Sequence, residues 1–511
     1  MMKRKIVLSL FIVVNASLLF AQKSLPFSKP VTIVWAQTAD VKFLNAGQDV
    51  DNVYLYQREA KVSRKASEDH LFVFNKTTLD FDDITVNIPA RYQFVGSINR
   101  EEEMLAFYMC DDPKAGTISL YSAHLNKSAK AVGATGKSIV SFLSENRDYP
   151  TFNTAVSPNG DYYAITFQIL DKKSVLKNLY AVVLDREGKV VWKREITPNF
   201  QNPDFFSDNM QVSNDGTVYL PAYSMTIKNN SATNENLHLI QVKDKLFNMN
   251  TVSVDFGSVQ SIKALILKNG DVFVGGYYSQ SYEKNHDEAI GYYGYRYSPE
   301  TGSYTVTERT AFPANYREKK VPALIALVLA NQQYEISCDY LFELDNGNVV
   351  MTGEHRFCRS VTGANNMKTY VHLNKNILVT TFHPDGKSDF TMIEKRQGAN
   401  NVEYHDDFRD LFLSYTAYAT QNDVHFIYND VDENVPYPGD LKFCETFSMM
   451  LNNRLKGVCT VLSPGGTITQ KVLIDAASDK QQLHRLLFVD GKNFYVVAGH
   501  KTGYCLDKFE Q

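Results

Sequence analysis

Short turn signals recur along this chain in two alternating series, and no other feature restricts its fold so strongly. The first series is Arg100-Glu101, Asn159-Gly160, Asp215-Gly216, Asn269-Gly270, Asn346-Gly347, Asn422-Asp423 and Asp490-Gly491, at intervals of roughly 55 to 76 residues. Asn-Gly and Asp-Gly pairs supply the positive φ that two-residue hairpins need. The second series follows each by a shorter gap: Asn126-Lys127, 185–188, Lys243-Asp244, 300–302, 384–386 and 464–466.

Between the turns lie apolar, β-branched and aromatic runs in a common register, such as 152–156, 162–168, 179–184 and 190–196. Sequences of that kind pack well on pleated surfaces. Each unit reads as a four-stranded up-and-down sheet, and repeats of that size are how propeller blades appear in sequence. The expected fold is an all-β propeller of seven or eight blades. The count depends on whether the irregular first repeat (52–57, 71–74, 84–88) is complete. The competing arrangements are a β-sandwich array and a β-helix. After Asp490-Gly491 only two strands remain, so the last blade lacks its fourth, and 31–35 is expected to complete it. A ring closed by both termini leaves no blade with an open edge for want of a strand.

The first residues read as a secretory leader. Lys3, Arg4 and Lys5 precede an apolar stretch, 6–20, with cleavage expected near Ala21. The domain reading is therefore a signal peptide, 1–21, followed by a single propeller domain, 22–511. With no later apolar run of spanning length, the mature chain is expected to carry no transmembrane segment. Loss of the three basic leader residues takes the formal net charge from −4 to −7. A mildly acidic chain with interspersed charge has no electrostatic footprint for nucleic acid. Six cysteines are few for this length and none forms a CxxC pair. Export permits disulfides, and Cys444–Cys459 is the favoured pair because it would close an inserted loop; buried free thiols are the alternative.

Ser157-Pro158-Asn159-Gly160-Asp161-Tyr162-Tyr163-Ala164 is similar to the turn motif of TolB-type and WD40-like propellers. The stretch from about Tyr340 to Glu433 resembles a group of uncharacterised exported propellers from Bacteroidota. Asp345-Asn346-Gly347 leading to Gly353-Glu354, Asp385-Gly386 leading to Lys395-Arg396-Gln397, and Phe426-Ile427-Tyr428-Asn429-Asp430 carry that resemblance. It covers about a fifth of the chain and implies a fold and an exported, periplasmic or surface location, with no activity attached. The β-sandwich domain that targets many proteins of those bacteria for type IX secretion is not evident, which favours the periplasm.

In such blades the b–c and d–a connections emerge on one face and the a–b and c–d turns on the other. The insertions 225–235, 279–289, 356–368 and 431–456 are b–c loops by this reading, and 314–333 is a d–a loop. All fall on one face, and loops of that length are usually functional. Glu354, His355, Lys395, Gln397, Asn429 and Asp430 map to strand ends on the same face and form the candidate binding set. Their acidic members are expected to stay solvated at an open rim. Glu354, Asp430, Asp432 and Glu433 are oxygen donors of the kind Ca²⁺ takes, but the loop lacks the D-x-[DN]-x-[DN]-G pattern. No cofactor is expected, with Ca²⁺ the one candidate.

No catalytic residue is assigned. The G-x-S-x-G, H-E-x-x-H and P-loop signatures are absent. The expected function is a non-catalytic binding or scaffold role toward another cell-envelope protein through the long-loop face. The alternative is a carbohydrate-binding or carbohydrate-active propeller, since paired carboxylates are set by folding and not by sequence spacing.

Overall fold

In the computed structural model, strands alternate with tight turns along the chain and gather into eight separate sheets, antiparallel but for two short added strands. The structure describes residues 31–32, 41–59, 65–134, 136–143, 149–170, 176–196, 204–207, 209–228, 231–254, 257–279, 289–313, 335–362, 368–395, 397–402, 414–435, 444–445, 454–476, 481–500 and 503–510. The leader 1–21 and the insertion 314–333 lie outside these residues, as does 279–289 apart from its ends. Among the described residues no helix is long and apolar enough to cross a membrane.

Taking strands a to d in order, blade 1 comprises Val41–Gln48, Asn52–Glu59, Ser67–Asn75 and Phe81–Ile88. Blade 2 comprises Tyr92–Asn99, Glu103–Asp112, Thr117–Asn126 and Lys137–Leu143. Blade 3 runs from Tyr149 to Ile196, blade 4 from Asp204 to Val254, and blade 5 from Ser258 to Ala311. Blade 6 begins with Glu335–Glu343, Val349–Thr362, Lys368–Phe382 and Ser388–Ile393. Blade 7 comprises Tyr415–Thr420, Asp423–Val431, Leu455–Leu462 and Ile468–Asp475. Blade 8 comprises Gln481–Asp490, Asn493–His500 and Gly503–Glu510, and its fourth strand is Val31–Thr32. The irregular first repeat is thus a full blade, and the count is eight.

Eight apolar clusters lie one between each pair of neighbouring blades. The last joins Phe43, Val53, Phe72 and Phe74 of blade 1 to Phe488, Tyr495, Val497 and Leu506 of blade 8. This pattern explains why the middle strands do not alternate between apolar and polar residues. A central strand is covered on both faces by neighbouring blades, so Val272–Ser279 is buried throughout. The outer strand Leu246–Val254 has one covered face and alternates between exposed and half-buried residues.

The face carrying the a–b turns is bonded from blade to blade. Asn214 Oδ1 accepts from Asn159 N at 2.9 Å, and Asn422 Oδ1 accepts from Asn346 N at 3.0 Å. Trp192 donates its indole N–H to Gly216 O at 3.0 Å. Several of these turns are longer than the two-residue form expected. Gly270 N bonds Leu267 O while Leu267 N bonds Asp271 O, which makes a three-residue loop with Gly270 at φ +90°.

Three further expectations are corrected. Residues 225–235 do not form an open loop. Strands Val218–Lys228 and Ser231–Lys243 stay paired through Met225↔Glu235 to Lys228↔Ser231, with a bulge between Thr226 and Ile227, so the insertion lengthens a hairpin. The same holds for most of 356–368, where pairing runs to Thr362↔Lys368. Asn126-Lys127 is no tight c–d turn: the chain leaves blade 2, lays Ala131–Gly133 parallel to the outer strand of blade 1, and returns at Lys137.

Cys459 is a free, buried thiol, so the Cys444–Cys459 disulfide is not formed. The topology separates the two residues. Cys444 pairs with Gln397 at the outer edge of blade 6, whereas Cys459 lies in blade 7 among Tyr418, Ile427, Leu473 and Phe494.

Candidate functional site

Strand register places the candidate residues at one level of the ring. Glu335, the first residue of strand a in blade 6, lies opposite Arg356 of strand b, so Glu354 to Arg356 sit where the ring proper ends. Beyond them the b–c hairpin continues outward. In blade 7, Tyr415 opens strand a opposite Tyr428, which puts Asn429 and Asp430 at the corresponding level. Lys395 follows the outer strand Ser388–Ile393 and leads into Gln397–Val402, which pairs with the upper part of strand c.

These side chains converge, but not on an open rim. Glu354, Lys395 and Gln397 are each 0% exposed, Asp430 is 1% exposed and Asn429 2% exposed. The expectation of solvated strand-end carboxylates is therefore wrong. Gln397, Ser414 and the turn Asp432–Asn434 close over the strand ends, a cover that strand direction alone does not reveal.

Within the cluster Glu354 forms an ion pair with Lys395. Its other oxygen accepts from Arg356 Nε at 3.0 Å, Asn374 Nδ2 at 2.7 Å and Ser414 Oγ at 2.5 Å. Lys395 Nζ also donates to Gln397 Oε1 at 2.8 Å, which accepts from Ser414 N at 2.8 Å as well. Gln397 Nε2 donates to Asn429 O at 2.6 Å. Asn429 then reaches blade 8 by two bonds of 2.8 Å, one to Leu483 O and one from Leu483 N. Asp430 Oδ1 accepts from Val431 N at 2.8 Å and Asn434 Nδ2 at 2.6 Å, holding the turn Asp432–Asn434. His355 is buried beside this set.

The electrostatics follow from burial and pairing. Burial works to raise the Glu354 carboxyl, but Lys395 and Arg356 outweigh it and hold it below the usual range. Burial pushes the Lys395 ammonium down, opposed by Glu354. Burial also lifts Asp430 to about 6, against the pull of Asn434, the Val431 N–H and Lys395. Asp339 is raised by burial and by the neighbouring Glu354 charge, although Arg356 Nη2 bonds it at 2.9 Å. Arg356, with its side chain 32% exposed, is the member of the set that reaches solvent.

Chemically the arrangement consumes its own functional groups. The Glu354 carboxylate is occupied by a cation, two further donors and Arg356, which leaves it no free lone pair aimed at solvent. Among the described residues no group of three or more His, Cys, Asp or Glu converges to hold a metal ion. Asp432 and Glu433, the other suggested oxygen donors, pair with Arg454. The residues missed in the sequence are Asp339, Arg356, Asn374 and Ser414. Asp339 enters from the register break in the middle of strand a of blade 6 and Ser414 from just before strand a of blade 7, and no motif marks them.

The chain matches no protein-family model and no curated protein sequence. Among solved structures it is similar to the Dos1 propeller, with TM-score 0.42 and 10% identity over 96% of this chain and 97% of that one. It is similar to the β-propeller domain of the Trilobed protease from Pyrococcus furiosus, with TM-score 0.36 and 9% identity over 86% and 96% of the two chains. A protein of unknown function from Bacteroides caccae has TM-score 0.28 and 12% identity over 65% and 92%. The propeller assignment itself rests on the eight sheets and the eight clusters between them.

Proposed function

We propose that this chain is a non-catalytic, exported propeller of the cell envelope that binds another envelope protein through its b–c face. The observation that carries the reading is the one-sided elaboration at blade 6. There the b–c hairpin runs past the ring to Thr362 and Lys368, Gln397–Val402 extends the sheet, and Cys444–Glu445 adds a parallel strand from blade 7. The sheet so built has six strands against four in blades 3 and 5. A wall of paired backbone projecting from a rigid ring is suited to protein recognition, since little order has to be gained on binding. The internal pairing of Glu354 and Asp430 argues against their use as an acid–base pair in glycan cleavage. The basic and apolar leader at 3–20 and the resemblance of Tyr340–Glu433 to exported Bacteroidota propellers support the envelope location.

The test is affinity capture from native envelopes followed by mass spectrometry. The bait is compared with a variant in which 359–371 is replaced by Asn-Gly, joining Cys358 to His372, which already face each other in the ladder. A stoichiometric envelope protein that is lost with the trimmed hairpin supports the reading. Equal loss on changing Asp215 and Asp385 of the opposite face to Ala, or polysaccharide turnover by the purified protein, refutes it.

A further inference from the structure

A fully buried ion pair stands out at the junction of blades 6 and 7, because an apolar cluster already joins these two blades as one joins every other neighbouring pair. Replacing such a pair by well-packed apolar residues is often neutral or stabilising, so its presence is weak evidence for stability. Its attested use is to specify one arrangement among several. The position of this cluster indicates which arrangement is specified. Its polar bonds end on the first residue of Gln397–Val402, on Ser414 at the entrance to blade 7, on the turn Asp432–Asn434 that opens the 431–456 insertion, and on Leu483 of blade 8. The first three are points at which the added chain segments leave or rejoin the ring, and Leu483 ties them to the next blade.

Among the described residues the added segments meet the ring at few points. Cys444–Glu445 meets the sheet through two register pairs, Gln397↔Cys444 and Gly398↔Glu445, and both lie on the strand that begins at Gln397. That strand meets the hairpin between Gln397↔Asn374 and Tyr370↔Val402, with a register break on the way. Asn374, at the foot of the pairing, also donates to Glu354. Gln397 is therefore the common point: its backbone carries both strand pairings, and its side chain is fixed by Lys395, Ser414 and Asn429. Lys395 is in turn held by Glu354.

We infer that the Glu354–Lys395–Gln397 network is a conformational anchor, which locks the added strands of blade 6 and the base of the blade 7 insertion to the ring as one cooperative unit. Its value for partner binding rests on the function proposed above, but the anchor itself is a statement about opening and is tested without any partner. In native-state hydrogen exchange the amides of Gln397, Ser414, Val431 and Leu483 open together, with one shared protection. The double variant Glu354→Leu with Lys395→Met removes the charges at similar volume. It is expected to keep the ring folded and to raise exchange at Gln397–Val402 and Asp430–Asn434 by tenfold or more, while Ala164 and Leu220 in blades 3 and 4 stay unchanged.

Wild-type protection in the double variant would show that packing alone positions these segments and would overturn the inference. So would a uniform rise across all blades, or separate opening of the four amides in the unmodified protein, which keeps the test decisive if the double variant does not fold. Loss of the anchor with envelope capture intact would refute the proposed binding face and leave the anchor standing.

Discussion

Closure of the ring invites a quantitative comparison, because two devices are available at the seam between blades 8 and 1. One is the N-terminal strand. Among the described residues it contributes Val31↔Tyr504 and Thr32↔Gly503, which puts a couple of backbone hydrogen bonds at stake there. At about 0.5–1.5 kcal/mol net for each bond, removing residues 23–32 should cost on the order of 1–3 kcal/mol. The other device is the apolar seam. Phe488 is 3% exposed and packs with Phe43, Val53, Leu55, Phe72 and Phe74 across the joint. Truncating a buried Phe to Ala costs about 3–5 kcal/mol through lost burial and the residual cavity. Phe488→Ala should therefore destabilise the ring more than deleting the terminal strand. Both variants are compared by urea unfolding followed by tryptophan fluorescence and circular dichroism, with coincidence of the two probes as the check that one free energy applies. A terminal deletion that lowers the midpoint further than Phe488→Ala would refute the reasoning and return closure to strand pairing.

Glu354→Ala alone should cost about 3–5 kcal/mol, because it leaves the Lys395 ammonium buried without its carboxylate; a melting temperature within a degree of wild type would show that the pair is solvated in solution. Burial lifts the Asp430 carboxyl to about 6, above the usual carboxylate range, so the folded state holds its proton more tightly. Its contribution is present below pH ~4 and lost as pH rises through about 6, a slope worth on the order of 1–3 kcal/mol by linkage. Asp430→Asn should flatten stability between pH 4 and 6 and gain stability at pH 7.5; identical pH profiles for the two proteins would sink this. Cys459 should be recovered as an alkylatable thiol from unreduced, denatured protein, since no disulfide holds it, and should resist alkylation in the folded protein, where burial pushes it up to about 12; a Cys444–Cys459 peptide would contradict the fold of the insertion.

The fold was legible because its determinants are local. Asn269-Gly270 and Asn346-Gly347 specify loops through backbone conformation, and such signals survive without knowledge of the neighbours. Strand direction then assigns each connection to a face, which is why Glu354, Lys395, Gln397, Asn429 and Asp430 were brought to one level of the ring from sequence alone. Burial is a different kind of property, since it depends on what returns over a strand end from elsewhere in the chain. Gln397–Val402 runs back along strand c of the blade it has just left, and Cys444–Glu445 reaches from blade 7 to blade 6. Neither excursion has a turn signal or an apolar period that marks its destination.

The same distinction explains the two insertions that became hairpins. Residues 225–235 (Met-Thr-Ile-Lys-Asn-Asn-Ser-Ala-Thr-Asn-Glu) are polar, which reads as loop. A hairpin projecting beyond the ring has no neighbouring blade to demand apolar side chains, so polarity there reports on exposure and says little about pairing. The chain therefore writes its ring mainly in hydrophobic residues and mixes polar residues into its added strands, as in Gln397–Val402. Where the two meet, the side chains available for cohesion are carboxylate, ammonium and amide. An internal polar cluster at blade 6 is thus the expected outcome of grafting a polar sheet onto an apolar ring. The run of hydrogen bonds from Asn374 through Glu354 and Gln397 to Leu483 is what makes such a graft tolerable.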